Sequence, residues 1–176
     1  MTTSALARIM RQHSAGVAVI TTRGEEPVGF CATSLSSVSL DPPTIAFSVA
    51  VDSSSGRAWQ RADLGIVHLL RSDQVAVASA FARSGPHKFG GAVAWRWGPG
   101  DQPLLDNVLA WMLVSTRHRL EVGDHLLVIC DVRQASVTPG PGSLIRYNGA
   151  FHGLPADDPV PAGELVEQVG TGWTAA

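Results

Sequence analysis

Apolar positions in the first fifty residues follow two successive periods. After Ser4, the residues Leu6, Ile9, Met10 and His13 recur at helical spacing, which predicts an amphipathic helix capped by Ser4 and ending near Gly16. From residue 16 to 22 β-branched side chains take over, and Arg23-Gly24-Glu25-Glu26-Pro27 supplies a polar turn before a second strand begins at Val28. That pattern reads as a hairpin. The second strand continues over residues 28–39 on small and hydroxyl side chains, until Asp41, Pro42 and Pro43 stop it because proline lacks the ladder donor. A buried strand is expected to resume over 44–51.

Ser53, Ser54 and Ser55 form a hydroxyl-rich turn suited to capping a helix through Arg61, and residues 64–70 read as a further buried strand. Asp73 is placed to cap the next helix, which runs through Val75, Val77 and Ala78 to Phe81. Gly85 and Pro86 close it before a loop carrying Lys88 and Phe89. Strands are expected at 92–97, 108–119, 125–135 and 144–152, between turns rich in Gly, Pro and Asp. Some eight strands with three short helices make a mainly β protein, and a closed barrel would remove sticky edges while leaving a cleft at its mouth. Residues 1–154 form the expected domain. Residues 155–176, with Pro155, Pro159 and Pro161 and weak periodicity, read as a tail or an arm against a partner subunit.

The 176 residues, 45% hydrophobic and 16% charged, suffice for one core and exclude intrinsic disorder. Thirteen Lys and Arg against fifteen Asp and Glu leave a net charge of −2 without a basic run, so nucleic acid is not an expected partner. No apolar stretch is long enough to span a bilayer, and the first ten residues lack a signal-peptide core, which points to the cytoplasm. Cys31 and Cys130 lie in apolar runs away from metal-ligand spacing and read as buried reduced thiols. The Gly-x-Ser-x-Gly elbow, the phosphate loop, the helical His pair and Gly-x-Gly-x-x-Gly are all missing, which leaves hydrolase, kinase, zinc-protease and Rossmann readings unsupported. His125 follows Gly123-Asp124 directly before a strand, where its ring either stabilises the turn or projects into a cleft. Trp95, Trp97 and Trp111 could stack on a ligand, but core or interface packing is the commoner use of large aromatics in a small barrel.

The run from Gly29 through Pro43 is dense in hydroxyls and small side chains, which leaves backbone amides approachable by a planar ligand or a phosphate. Together with the opening helix, residues 16–22, Asp73-Gln74, Phe81-Ala82, Lys88-Phe89, Trp95-Arg96, Pro103-Leu104-Leu105-Asp106, Gly123-Asp124-His125, Tyr147 and Phe151, it resembles the short-chain flavin reductases. Those proteins share the FMN-binding split-barrel fold and supply reduced flavin to two-component monooxygenases. The resemblance implies that Gly29, Phe30, Cys31, Thr33 and Ser34 line the isoalloxazine. Ser48, Val49, Ala50 and the turn Ser53, Ser54, Ser55 would lie beside the ribityl chain and phosphate, with Phe81 and Lys88 completing that side. His125 would hold the nicotinamide, beside an aromatic wall of Tyr147 and Phe151. The chain departs from the pattern at Ser54 and Ala80, where relatives commonly carry basic residues; Arg57, Arg83 or Lys88 could substitute. It departs again at Cys31, where many relatives have Thr, and at His68, where Asn is frequent.

The resemblance thus implies a homodimeric enzyme that passes hydride from NADH or NADPH to FMN or FAD and serves a flavin-dependent monooxygenase. Such an enzyme works by positioning, without a catalytic triad or a metal. The alternative is a barrel that binds or shuttles flavin without turnover, or acts through its dimer surface. A weaker third option is a flavin enzyme acting directly on an organic substrate.

Overall fold

A computed structural model describes residues 5–83, 85, 88–91 and 93–156, and the backbone of 167–168. The chain runs through α1 (Ala5–Met10), β1 (Ala15–Gly16), β2 (Ala18–Arg23), β3 (Pro27–Ala32), β4 (Ser36–Leu40), β5 (Pro43–Ala50), α2 (Ser54–Trp59), β6 (Leu64–Leu69) and α3 (Val75–Ala82). It continues through β7 (Trp95–Trp97), β8 (Pro103–Leu105), β9 (Ala110–Val122), β10 (His125–Val137), β11 (Leu144–Tyr147), β12 (Ala150–Gly153) and β13 (Glu167–Gln168).

The main sheet is antiparallel, in the order β3-β2-β6-β9-β10-β5-β4, with β13 added beside β10 at Gln134 and Ala135. Its two outermost strands, β3 and β4, are joined only by Thr33-Ser34-Leu35. In a flat sheet the outer two of seven strands would stand roughly 29 Å apart, whereas that short link reaches at most roughly 14 Å. The sheet must therefore curl. Register shifts between β9 and β10, at Ile129/Cys130 and Val132/Gln134, help to bend the long central ribbon. The curl does not finish in hydrogen bonds, because β3 and β5 are near each other without forming a ladder. The barrel is thus split along one seam, as the resemblance implied, and not closed as the strand count alone suggested. Helices α2 and α3 pack over β3 in place of another strand and blunt its edge.

Side-chain alternation along β2 explains the two cores. Ala18 and Ile20 enter a cluster with Phe47, Trp59, Val67, Val114, Leu126 and Val128, while Val19 and the preceding Val17 enter one with Leu70, Phe81, Leu105, Val108 and Leu144. Because both faces are covered, residues 17–20 form a continuous apolar run rather than alternating, and Thr21 and Thr22 are buried after them. His68 on β6 joins the layers: its Nδ1 donates to the Val19 carbonyl at 2.9 Å, and its Nε2 accepts from the Leu105 amide at 3.1 Å.

Several local expectations are revised. Helix α1 stops at Met10 and buries none of its residues, leaving Leu6 and Ile9 about two-thirds exposed. Ser4 and Pro86 lie outside the described residues, as does most of the segment after residue 156. Asp73 does not cap α3; it pairs with Arg71 at 2.9 Å, and Gln74 takes the cap position without a side-chain bond to the helix amides. The single strand expected over 28–39 breaks at the seam link. The one expected over 144–152 is the hairpin β11–β12, turned by Asn148-Gly149 with both residues at positive φ, the pair a two-residue type I′ turn favours. β1 and β8 were not anticipated, the first because two residues carry no period and the second because Pro103 opens it.

Candidate functional site

A cavity of about 820 Å³ opens along the seam. Phe30, Cys31, Thr33 and Ser34 line it from the β3 side, and Ser48, Val49 and Ala50 from the β5 side. Beyond Ala46 the outer edge of β5 has run past its pairing with β4, so its backbone groups are not consumed by that ladder. The Ser34 hydroxyl stitches the seam here, donating to the Ser48 carbonyl at 3.2 Å and accepting from the Ser48 amide at 3.0 Å. The site therefore exists because a curled sheet failed to close.

The α2 corner supplies Ser53, Ser54, Ser55, Asp52 and Arg57. Ser53 caps α2, accepting from the Gly56 amide at 2.9 Å and donating to the Ala50 carbonyl at 2.7 Å. Ser55 is buried and donates to the Gly29 carbonyl at 3.2 Å, leaving Ser54 as the exposed hydroxyl of the three. Phe81, Arg83 and Lys88 close the remaining side. Lys88 donates to the same Gly29 carbonyl at 3.0 Å, and desolvation lowers its pKa below the ordinary lysine value. Three cations, Arg57, Arg83 and Lys88, thus face the cavity against the carboxylate of Asp52. Asp52 escaped sequence reasoning because a lone acid at a strand end carries no pattern.

Gly29 does not line this cavity. A Cβ there would sit 2.6 Å from the Phe81 ring and 3.2 Å from Phe89, so the glycine admits Phe81 against β3 and offers its carbonyl to Ser55 and Lys88. Cys31 faces the cavity with its thiol pushed up to about 11 by desolvation, which nearby Arg146 and Lys88 only partly oppose; burial pushes Cys130 up to about 12. Both thiols should stay protonated at neutral pH. Alkylation of Cys31 by iodoacetamide in the folded protein at mildly alkaline pH should be about a hundredfold slower than in denaturant, following the lost thiolate fraction. Only Cys130 is fully buried as expected, Cys31 being half-buried at the cavity wall, and comparable labelling rates in the two states would contradict the protonated assignment of Cys31.

His125 also lines the cavity, at the first residue of β10 and in register with Ala50. Gly123, at φ +60°, forms the preceding hairpin turn, where an L side chain would be strained. The His125 Nδ1 donates to Asp124 Oδ1 at 2.7 Å, a bond that holds the Asp124 carboxyl below its usual pKa and leaves Nε2 unprotonated in the neutral ring. Tyr147 and Phe151 are not brought to this cavity. Tyr147 donates to Gln12 at 3.3 Å, while Phe151 packs under the Arg146 guanidinium and against the second core. The described residues contain no group of three or more His, Cys, Asp or Glu able to hold a metal ion.

A mainly β split barrel with a hydroxyl-rich, cation-lined cavity along its seam defines a small-ligand-binding protein. The chain belongs to the flavin reductase-like domain family, whose profile matches residues 10–155. It is 43% identical over 121 residues to an NADH:FMN oxidoreductase of Rhodococcus erythropolis, a match that covers 68% of this chain but only 63% of that relative. It is 31% identical over 155 residues to the reductase subunit of a flavin-dependent monooxygenase of Rhodococcus jostii, covering 88% of this chain and 79% of the relative. The solved flavin reductase domain protein of an Arthrobacter species superposes with a TM-score of 0.79 at 33% identity, over 87% of this chain and 96% of that one.

Proposed function

We propose that the protein is an NAD(P)H-dependent flavin reductase that transfers hydride from NADH or NADPH to FMN or FAD and supplies reduced flavin to a partner monooxygenase. The observation that carries this reading is the seam cavity. Its hydroxyl-rich lining suits the polar edge of a flavin ring, Phe30, Val49 and Phe81 suit its apolar face, and Arg57, Arg83 and Lys88 suit its phosphate. The names of the Rhodococcus relatives support the nicotinamide donor and the monooxygenase partner.

When bound, the flavin supplies the hydride chemistry, and the protein's own task is position and exclusion of water. Ser34 holds the two lips of the seam at a set width. Asp124 orients His125, whose Nε2 would engage the nicotinamide portion of the donor. Converting His125 to Ala should raise the KM for NADH up to about tenfold while flavin affinity stays within about twofold, one hydrogen bond being worth up to roughly 1.5 kcal/mol. Steady-state kinetics beside a flavin titration check this; an unchanged KM removes the role.

Exposed Leu6, Ile9 and Met10 on α1, Val38 and Leu40 on β4, and Leu120 and Val122 at the end of β9 support a homodimer, with the segment after residue 154 as its tail or dimer arm. None of the described helices is long and apolar enough to cross a membrane, and two free thiols suit a reducing cytoplasm. The deciding experiment follows NADH and NADPH oxidation by the purified protein without flavin, with FMN and with FAD. Turnover above about one per second that requires added flavin supports the reductase, whereas flavin binding without turnover favours a carrier.

A further inference from the structure

The seam cavity has a neighbour. A second cavity of about 520 Å³ shares Ser54, Gly85 and Lys88 with it, so the two meet at a hydroxyl and an ammonium. Beyond that junction the wall changes character. Phe89 and Trp95 line the second cavity, stacked edge to face at 5.3 Å, and Phe89 in turn meets Phe81 of the first cavity at 5.1 Å. Glu26, exposed in the turn between β2 and β3, adds a carboxylate. Trp95 and Phe89 are only partly buried, so their ring surfaces remain available to a ligand.

These features have an order: a cavity suited to a flavin ring, a cation at the passage, then an aromatic chamber with one hydrogen-bond acceptor. A purine stacks on aromatic faces whatever its substituents, and a carboxylate accepts from ribose hydroxyls or an exocyclic amine. Both volumes fall within the usual range of roughly 300–1,000 Å³ for small-molecule sites. We propose that the second cavity is the adenosine site of FAD, with Lys88 and Ser54 at the passage holding the pyrophosphate, and that the protein selects FAD over FMN on this account. The inference rests on the reductase reading for the identity of the first ligand. NADH also carries an adenosine, so the test must separate the two dinucleotides.

The test is a fluorescence titration of the full chain with FMN and with FAD, repeated in the presence of free adenosine, alongside the KM for NADH under the same conditions. Expected are a Kd for FAD about tenfold or more below that for FMN, and competition by adenosine against FAD but not FMN. Trp95→Ala should raise the Kd for FAD about tenfold towards that of FMN. Glu26→Ala, in an exposed turn with no part in the core, should raise it about threefold, and neither change should alter the Kd for FMN by more than about twofold. Because Trp95 also packs on the second core, the Glu26 variant and the adenosine arm stand independently of its folding. Equal Kd values for the two flavins in the wild type overturn the proposal. So does adenosine that raises the KM for NADH while leaving FAD binding untouched, which would assign the chamber to the nicotinamide dinucleotide. Failure to bind either flavin would instead remove the reductase reading itself.

Discussion

Gly56→Ala is expected to destabilise the protein by about 3 kcal/mol and to weaken flavin binding at least tenfold. In an open helix the same change would be favourable by roughly 0.5–1 kcal/mol, since alanine is the better helix former. Here the sign reverses. A Cβ at position 56 would lie 2.0 Å from the Ala50 carbonyl oxygen and 2.7 Å from that of Val51, both backbone atoms that cannot rotate aside. Helix α2 would have to lift away from the end of β5. The lift would pull on both bonds of the Ser53 cap, to the Gly56 amide and the Ala50 carbonyl, and on the Ser55 bond to Gly29. Ser54 and Arg57 would then leave their places in the cavity. Urea denaturation and a flavin titration measure the two effects, with Gly16→Ala as a control because a Cβ there meets nothing within 4 Å and Gly16 lines neither cavity. A Gly56→Ala protein as stable as the wild type would show that α2 is not seated so closely.

His68 should make the fold acid-sensitive. Its ring is fully buried, and desolvation lowers its pKa to about 4 from an ordinary value of 6.5. Above pH 6.5 the residue is neutral in both folded and unfolded chains and contributes no pH dependence. Below it the unfolded chain takes up a proton that the folded chain refuses, so stability falls as pH drops, until the folded ring also protonates near pH 4. The loss over that window is about 3 kcal/mol at roughly 1.4 kcal/mol per pH unit. His68→Leu should remove this part of the acid sensitivity. It should also lower stability at neutral pH by about 3 kcal/mol, because the Val19 carbonyl and the Leu105 amide lose their partner. Urea midpoints between mildly alkaline and acid pH, for both proteins, give the comparison. Parallel pH profiles would mean that the acid loss arises elsewhere, from the surface carboxylates.

The same residue shows what a linear pattern can carry. His68 stood out as a departure from the asparagine frequent among relatives, but its place as a three-way tie between β2, β6 and β8 depends on two partners 49 and 37 residues away. Local signals fared better. The 16–22 strand, its polar turn and the strand after it form the hairpin that β-branched runs flanking a turn require. The hydroxyl triplet did cap α2 through Ser53, since the cap needs only a side-chain oxygen within one turn of the amide it satisfies. By contrast, Asn148-Gly149 was a readable turn signal that the apolar run around it obscured.

For the site, the residues bordering the seam could be named from sequence because the family pattern keeps them in order along the chain. The seam itself could not. It follows from the curl of seven strands whose outer members are tied by three residues, a constraint visible only once the pairing order is known. The chain by itself determined the strands, the turns, the apolar core and the hydroxyl-rich stretch, all of which depend on neighbours within a few residues. Only the tertiary structure decided that Arg57, Arg83 and Lys88 face one cavity, that Tyr147 and Phe151 turn away from it, and that Phe89 and Trp95 wall the chamber beyond. Those outcomes depend on contacts between distant segments, set by sheet curvature and helix seating, which no spacing along the chain encodes.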